Sequence, residues 1–283
     1  TEAAHLAADV LGIDYRAAEP APDAASQRQR QLAADRQQRE QERQKQAAED
    51  AEQRRATFAR LYTGMRLRSI QGESEYLQSK GLTGFKYPLM PDGSLLLELV
   101  DESGAVAAAQ TITPHGEKRL LTGSAKRGAY HAVNAPESPQ SVLIAEGLAT
   151  ALSVHLMRPD ALAVAAIDAG NLLPVAEVMR RKHPKAQIII AADNDHHQNG
   201  EANTGREAAE KAALSVAGWV SMPPTDYKAD WNDHHQQNGL EAATAAFSDS
   251  LYQIQGEAVK PRLQAIEGGK TDHPEKDPLK PHI

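Results

Sequence analysis

Acidic residues follow several short apolar runs in the second half of the chain. Glu146 follows the first run, Asp193 and Asp195 follow the third, and Asp233 closes an acidic segment beyond the fourth. Carboxylates that converge within a few ångströms repel one another, so they either hold a proton or bind cations. Carboxylate oxygens suit Mg²⁺ or Mn²⁺. The pattern therefore predicts that these four residues form a divalent-metal site if their strand ends meet.

The segments between these acids predict the elements that would bring them together. Apolar runs at 141–145, 161–167 and 186–192 alternate with helix-forming segments, and a helix at 203–217 and a run at 218–222 continue the alternation. Runs that are apolar throughout indicate strands buried on both faces, which is typical of an α/β fold with a mainly parallel sheet flanked by helices. Right-handed crossovers place the carboxyl ends of such strands at one edge of the sheet.

The preceding residues, 57–138, predict a small basic α+β subdomain. Residues 57–80 have helical spacing, and the apolar segments 94–100 and 105–112 are separated by a turn, which is typical of a β-hairpin. The segments GEKRLLTG and RGAYHAV predict a third and a fourth strand.

The two ends of the chain differ from the middle in composition. Residues 1–56 predict a short helix at 1–15 and then a charged helical linker, rich in Gln, Arg and Glu, that has no apolar face to bury. Nine Lys or Arg against six Asp or Glu lie between Arg28 and Arg60, so a nucleic-acid-binding helix is the alternative. Residues 255–283 are rich in Pro, Lys and Asp and predict a disordered tail.

Composition excludes several classes of protein. The 283 residues include no Cys, which excludes disulfides, thiol catalysis and Cys-ligated zinc within this chain and favours a cytoplasmic protein. No run approaches the roughly 20 apolar residues of a membrane span. The formal charge of −7 predicts modest nonspecific affinity for DNA. Because the chain starts at Thr1 rather than at Met, we expect it to be a fragment or a processed form.

Three motifs, LIAEG, IIAADND and YKADWND, together resemble the Toprim domain shared by DnaG-type primases, topoisomerases of types IA and II and several nucleases. We assign residues 139–254 to this domain. The resemblance implies that Glu146 has an acid/base or metal role and that Asp193 and Asp195 bind Mg²⁺. The third motif departs from the family pattern, because Ala229 separates its lysine from the aspartate that follows.

The segment upstream of the first motif, residues 81–133, is similar to the one that precedes Toprim in plasmid and phage primases, so the resemblance spans about 76–247. It implies basic side chains that bind template and nucleotide. The candidates are Lys118, Arg119, Lys126, Arg127 and Lys228, with Lys86, Arg66 and Arg68 as weaker ones.

The combined resemblance predicts a metal-dependent DNA primase core that makes short primers on single-stranded DNA from nucleoside triphosphates, for plasmid or phage replication or conjugation. A zinc-ribbon module or a helicase outside this chain is the expected partner. A Toprim nuclease and a non-catalytic DNA-binding or replication-assembly module are the alternatives. The near-repeats NDHHQNG (194–200) and NDHHQQNG (232–239) suggest a second hypothesis, in which His pairs bind Mn²⁺ or Zn²⁺.

Overall fold

A computed structural model describes residues 24–196 and 201–254, and for residues 24–27 it describes the backbone alone. The predicted short helix at 1–15 and the predicted tail at 255–283 lie outside the described residues.

One long helix opens the described part of the chain. Helix α1 (Ala24–Arg68) runs without a break through the predicted boundary between residues 56 and 57. From residue 28 onward its side chains are mostly exposed until Phe58, which is 6% exposed and packs with Tyr62 and Met65 on Leu96. Among the described side chains of α1, only those of the last three turns form an apolar face, and they attach the helix to the sheet that follows.

An antiparallel sheet of five strands comes next. Its strands, β1 (Ile70–Glu73), β2 (Lys86–Leu89), β3 (Leu95–Val100), β4 (Val106–Ile112) and β5 (Lys118–Leu120), lie side by side in chain order. A short helix, α2 (Glu75–Ser79), joins the first two. The β3–β4 turn is held by Asp101, whose Oδ1 accepts hydrogen bonds from the N–H groups of Ser103 and Ala105, and Gly104 adopts the positive φ of 88° that the turn requires.

The second sheet has six strands. Strands β7 (Ser141–Ala145), β8 (Leu162–Ala165), β9 (Gln187–Ala191) and β10 (Trp219–Ser221) are parallel, while β6 (His131–Ala132) and β11 (Leu251–Tyr252) are antiparallel edge strands. Their order across the sheet is β11-β10-β9-β7-β8-β6. Its helices are α3 (Leu148–Met157), α4 (Ala169–Lys182), α5 (Thr204–Ser215), α6 (Trp231–Asn238) and α7 (Leu240–Asp249).

Both faces of the parallel sheet are buried, as the uninterrupted apolar runs predict. Ile144 and Ile190 face α4 and α5, whereas Leu143 and Ile189 face the side where Trp231 and Phe247 pack. A third cluster joins the two sheets. In this cluster, side chains on one face of the antiparallel sheet pack against helix α3. This contact fixes the antiparallel sheet against the parallel sheet. The cluster includes Leu95, Leu97, Leu148 and Leu152.

The structure corrects two sequence predictions in the antiparallel region. Residues 57–80 are not helical throughout, because α1 ends at Arg68 and an edge strand, β1, follows. The segment RGAYHAV does not extend the hairpin sheet. Its strand, β6, pairs with β8 of the parallel sheet, and only Tyr130 bridges back to Val100.

Within residues 24–196 and 201–254, no helix combines the length and the apolar character that a membrane span requires.

Candidate active site

The carboxyl ends of three neighbouring parallel strands carry the acidic residues. Glu146 comes directly after β7, Asp193 comes two residues after β9, and Asp230 lies in the loop after β10. The backbone pairs Asn194 with Ala229 in an isolated antiparallel bridge, which draws the last two loops together.

A cleft of about 330 Å³ lies between this edge and the antiparallel sheet. It is lined by two lysines, three acids, a tyrosine, a histidine and several small residues: Tyr76, Ser79, Lys80, His115, Gly116, Lys118, Glu146, Gly147, Ala149, Thr150, Asp193 and Asp230.

Asp193 is the most strongly perturbed acid of the cleft. Burial, followed by the negative charges of Asp230, Glu146 and Asp195, raises the pKa of its carboxyl to about 8. Its Oδ1 is buried without a hydrogen-bond partner. A carboxylate in that position is stabilised either by a proton or by a cation.

Glu146 faces the same cleft from the first strand end. Burial raises the pKa of its carboxyl, the nearby ammonium of Lys118 opposes this, and the charge of Asp195 adds to it. A glutamate with a raised pKa can accept and release a proton nearer to neutral pH than an exposed one. Gly147, which follows it, is the N-cap of α3, so the positive end of that helix dipole also points at the cleft.

Asp195 is held by a different set of partners. Burial alone would raise its pKa, but bonds from Lys228, from the Thr204 hydroxyl and from the Gly205 N–H outweigh that effect and lower the pKa. The Lys228 Nζ lies 2.8 Å from Oδ1, while Thr204 and Gly205 donate to Oδ2 at 3.0 and 2.9 Å. The carboxylate therefore stays ionised.

Lys118 reaches the cleft from the antiparallel sheet. Its Nζ lies 3.5 Å from where a Cβ on Gly147 would be, which is ordinary van der Waals contact and places the ammonium beside the start of helix α3. Side chains alternate along a strand, and the next residue, Arg119, points away and pairs with Glu117 at 3.3 Å. Of these two predicted basic residues, only Lys118 lines the cleft.

The remaining predicted basic residues lie at separate places. Lys126 pairs with Asp168 across the junction of the two sheets, and Arg127 lines a shallow pocket beside helix α4. Lys228 contacts Asp195, as described above. Among the weaker candidates, Arg66 pairs with Glu98, Arg68 donates to a carbonyl of its own helix, and Lys86 is exposed on β2.

Asp233, predicted as a metal ligand, does not line the cleft. Its Oδ2 accepts from the Asp230 N–H at 3.2 Å, and its Oδ1 lies 3.5 Å from the Nζ of Lys80. Asp230, which the sequence analysis did not single out, lines the cleft instead and caps helix α6. The spacing Asp-x-x-Asp is that of a capping box, and this signal could have separated the two roles.

Three further cleft residues were missed. Tyr76, Lys80 and His115 come from α2 and from the β4–β5 turn, far in sequence from the acids. Burial, with the charges of Asp230 and Asp233, raises the pKa of Tyr76 to about 12. No local pattern marks these residues, because only the packing of one sheet on the other brings them to the cleft.

The two His-containing near-repeats do not form matching loops. The first lies partly outside the described residues. The second is helix α6, in which His234 packs on the Trp231 ring and the Nδ1 of His235 lies 3.2 Å from the hydroxyl of Ser153. His234 therefore packs on its own helix and His235 contacts helix α3.

The cleft has the donor chemistry of a divalent-cation site. Among the described residues, no three Asp, Glu or His side chains form a ready-made ligand cluster for one ion. The acids of the cleft nevertheless fit a hard cation, since they offer only carboxylate oxygens and one of these, Oδ1 of Asp193, is buried without a partner. A cation would offset the repulsion that raises the pKa of Asp193.

Comparison with known proteins places this site in a recognised domain. Residues 141–241 match the model of the Toprim domain. A longer stretch is similar to two Escherichia coli proteins named DNA primase TraC, with 36% identity over 163 residues and 33% over 161. Each match takes in 54% of this chain but only 11% and 15% of those proteins, so the chain spans a small part of the relatives' length.

Solved structures of primases also overlap this fold in part. The DnaG catalytic core is 16% identical, with a TM-score of 0.42 over 62% of this chain and 58% of that one. A DNA primase domain from Pseudomonas aeruginosa is 15% identical, with a TM-score of 0.43 over 65% and 56%. The match of residues 141–241 to the Toprim domain confirms the resemblance and the fold class predicted from the sequence.

Proposed function

We propose that this chain is the catalytic core of a DNA primase that joins nucleotides on a single-stranded DNA template. The observation that carries the proposal is the cleft itself, where Glu146, Asp193 and Asp230 meet the ammonium groups of Lys118 and Lys80. Acids beside lysines suit a phosphate substrate that arrives with a divalent cation. Similarity to the TraC primases supports the same reaction.

In this proposal the 3′-hydroxyl of one nucleotide attacks the α-phosphate of a nucleoside triphosphate. The new bond joins the 3′-oxygen to the α-phosphorus, the bond to the β-phosphate oxygen breaks, and pyrophosphate leaves. Glu146, with its raised pKa, takes the proton of the hydroxyl. Lys118 and Lys80 bind the phosphate oxygens and counter the negative charge of the cleft.

Mg²⁺ or Mn²⁺ is the cofactor we propose, with Asp193 and Asp230 as the residues that would hold it and Glu146 left free beside them as the base. A bound divalent ion would neutralise phosphate charge and align the attacking oxygen. Asp195, fixed by Lys228 and helix α5, adds negative charge beside these ligands and keeps the loop in place. We propose that the enzyme acts in the cytoplasm, where templates and triphosphates are available.

Primer synthesis by the purified chain tests this function. Single-stranded DNA, labelled ribonucleoside triphosphates and Mg²⁺ or Mn²⁺ should give short labelled products. Glu146→Gln should lower the yield by about 100-fold or more, about 2.7 kcal/mol of lost transition-state stabilisation. Glu137→Gln, at an exposed acid before the amino end of β7, is the matched control and should match the wild type.

Other outcomes would redirect the proposal. Degradation of the template without synthesis, lost in Glu146→Gln, would identify a Toprim nuclease. Binding of single-stranded DNA with neither synthesis nor degradation, unchanged in that variant, would identify a non-catalytic module. The full panel therefore separates the three functions that the sequence allows.

A further inference from the structure

Asn194 is the buried residue of the segment that carries the two Toprim acids. It is 3% exposed, whereas Asp193 and Asp195 on either side are only partly buried. Its N–H donates to the carbonyl of Ala229 at 2.9 Å, and the Ala229 N–H donates back at 3.0 Å. Because Ala229 directly precedes Asp230, these two bonds fix one acidic segment against the other.

The side chain of Asn194 uses both ends of its amide. Its Nδ2 donates to the carbonyl and the hydroxyl oxygen of Thr225 at 2.8 and 3.1 Å, and its Oδ1 accepts from the Nδ2 of Asn203 at 2.7 Å. A carboxylate could not donate to Thr225, and an aliphatic side chain could do neither. A neutral amide also adds no charge beside the repelling acids.

Asn203 makes the second half of this connection. Its Oδ1 accepts from the N–H groups of Asp195 and Arg206, both at 3.0 Å, and so caps the start of helix α5. Capping requires only an acceptor, and Ser, Thr or Asp would serve as well. The bond that Asn203 donates to Asn194 is therefore additional to the cap, and it ties α5 to the acidic segment.

These contacts lead to an inference about two residues that do not themselves face the cleft. We propose that Asn194 and Asn203 are positioning residues, which hold Asp193 and Asp195 at a set separation from Asp230. The inference rests on the proposed function, in which Asp193 and Asp230 hold the divalent ion and Asp195 adds negative charge beside them. Residues that orient metal ligands typically change metal affinity by about 10- to 100-fold when they are removed, and we expect a change of that size.

Two variants separate positioning from folding. Asn194→Ala removes the amide completely. Asn203→Ser keeps a capping oxygen for the Arg206 N–H but is too short to reach Asn194, and it adds no charge. Asn134→Ala is the matched control, because Asn134 also joins two backbone groups through its amide, Ala161 O and Ala163 N–H, at the amino end of strand β8.

The experiment measures Mn²⁺ binding. Each purified variant is titrated with Mn²⁺, and the electron paramagnetic resonance signal of the free ion monitors how much is bound. Thermal unfolding is measured on the same samples. We expect Asn194→Ala and Asn203→Ser to raise the Kd for Mn²⁺ by about 10- to 100-fold. We expect Asn203→Ser to keep a melting temperature near that of the wild type, and Asn134→Ala to bind Mn²⁺ as the wild type does even if it melts earlier.

Each outcome bears on the inference separately from primer synthesis. Wild-type affinity in both variants, or an equal loss in Asn134→Ala, would overturn it. A wild-type chain that binds no Mn²⁺ would overturn it together with the metal part of the proposed function. Weakened binding in both variants by a chain that makes no primers would support the inference and overturn the primase proposal alone.

Discussion

Two acidic segments, residues 193–195 after β9 and residues 230–233 after β10, meet at the carboxyl edge of the parallel sheet, and they present their carboxylates in different ways. After β9 the chain stays extended enough for Asn194 to form a β-bridge, so Asp193 faces the cleft while the amide turns inward. After β10 a helix begins, so Asp230 is its cap and Asp233 folds back onto the Asp230 N–H. The local backbone conformation, rather than residue type, decides which acid can reach a substrate.

The largest expected effect is on the rate of primer synthesis, and it comes from making the same Asp→Asn substitution in each of the two segments. Asp193→Asn removes a cleft carboxylate and should lower primer synthesis by about 100-fold or more. Asp233→Asn keeps an oxygen for the Asp230 N–H and leaves the cleft acids in place, so its rate should stay within about threefold of the wild type. Initial rates at saturating Mg²⁺ measure both. Equal losses would mean that Asp233 acts in the reaction and would remove the distinction.

The pH dependence of stability sharpens the contrast within the first segment. The native pKa of Asp193, about 8, lies above its ordinary value of 3.8, so the folded chain binds more protons than the unfolded chain between these values. The contribution of Asp193 to the free energy of unfolding of metal-free protein should therefore fall, by more than about 1 kcal/mol, as the pH rises from about 4 to about 8, whereas the lowered pKa of buried His131 acts in the opposite direction over part of this range. Urea unfolding in the presence of a chelator measures this.

Asp193→Asn is the control for that titration, because an amide does not titrate. Its free energy of unfolding should lack this decrease between about pH 4 and pH 8. The contribution of Asp195 to the pH dependence of stability has the opposite sign, because its lowered pKa gives stability that is lost only as the pH falls through that pKa. A difference between the wild-type and Asp193→Asn curves that is flat or rising over the same range would show that Asp193 is ionised in the folded protein.

Much of this arrangement could be predicted from the sequence because the signal is local. The apolar runs at 141–145 and 186–192 are buried on both faces, and each is followed by a helix-forming segment, so a mainly parallel sheet follows from simple patterning. Parallel order then brings Glu146 and Asp193 to one edge without further information.

The features that could not be predicted depend on contacts between segments that are distant in sequence. Strand β1 is short, exposed and contains a glycine, so nothing in its pattern distinguishes it from a loop. Strand β6 has the same apolar character whichever sheet it joins, and only packing selects β8 as its partner. Lys118 and Arg119 are adjacent and alike in charge, and the register with β4 decides that only the first faces the cleft.

The close contact of Gly205, in helix α5, with the first segment gives a smaller expected effect on stability. A Cβ on Gly205 would lie 2.5 Å from the carbonyl oxygen of Asp193 and 3.0 Å from Oδ2 of Asp195. Gly205→Ala should therefore push helix α5 away from the acids and cost about 1–3 kcal/mol of stability. Gly64→Ala, in helix α1 with nothing within 4 Å of the new Cβ, should instead stabilise the chain by up to about 1 kcal/mol. Urea unfolding compares them, and equal effects would contradict the close contact.

The smallest expected effect is the difference in coupling free energy between two ion pairs, one at an acid of each segment. In the first, Lys228 lies 2.8 Å from Asp195, whose side chain is only 18% exposed; in the second, Lys80 lies 3.5 Å from Asp233, which is 48% exposed. Exposed pairs contribute about 0–1 kcal/mol and are screened by salt. Double-mutant cycles with Lys→Met and Asp→Asn should give a coupling near 1 kcal/mol for the first pair and below about 0.5 kcal/mol for the second. A larger coupling at Asp233 would show that its carboxylate is held as firmly as that of Asp195, and the two segments would then differ only in which acid lines the cleft.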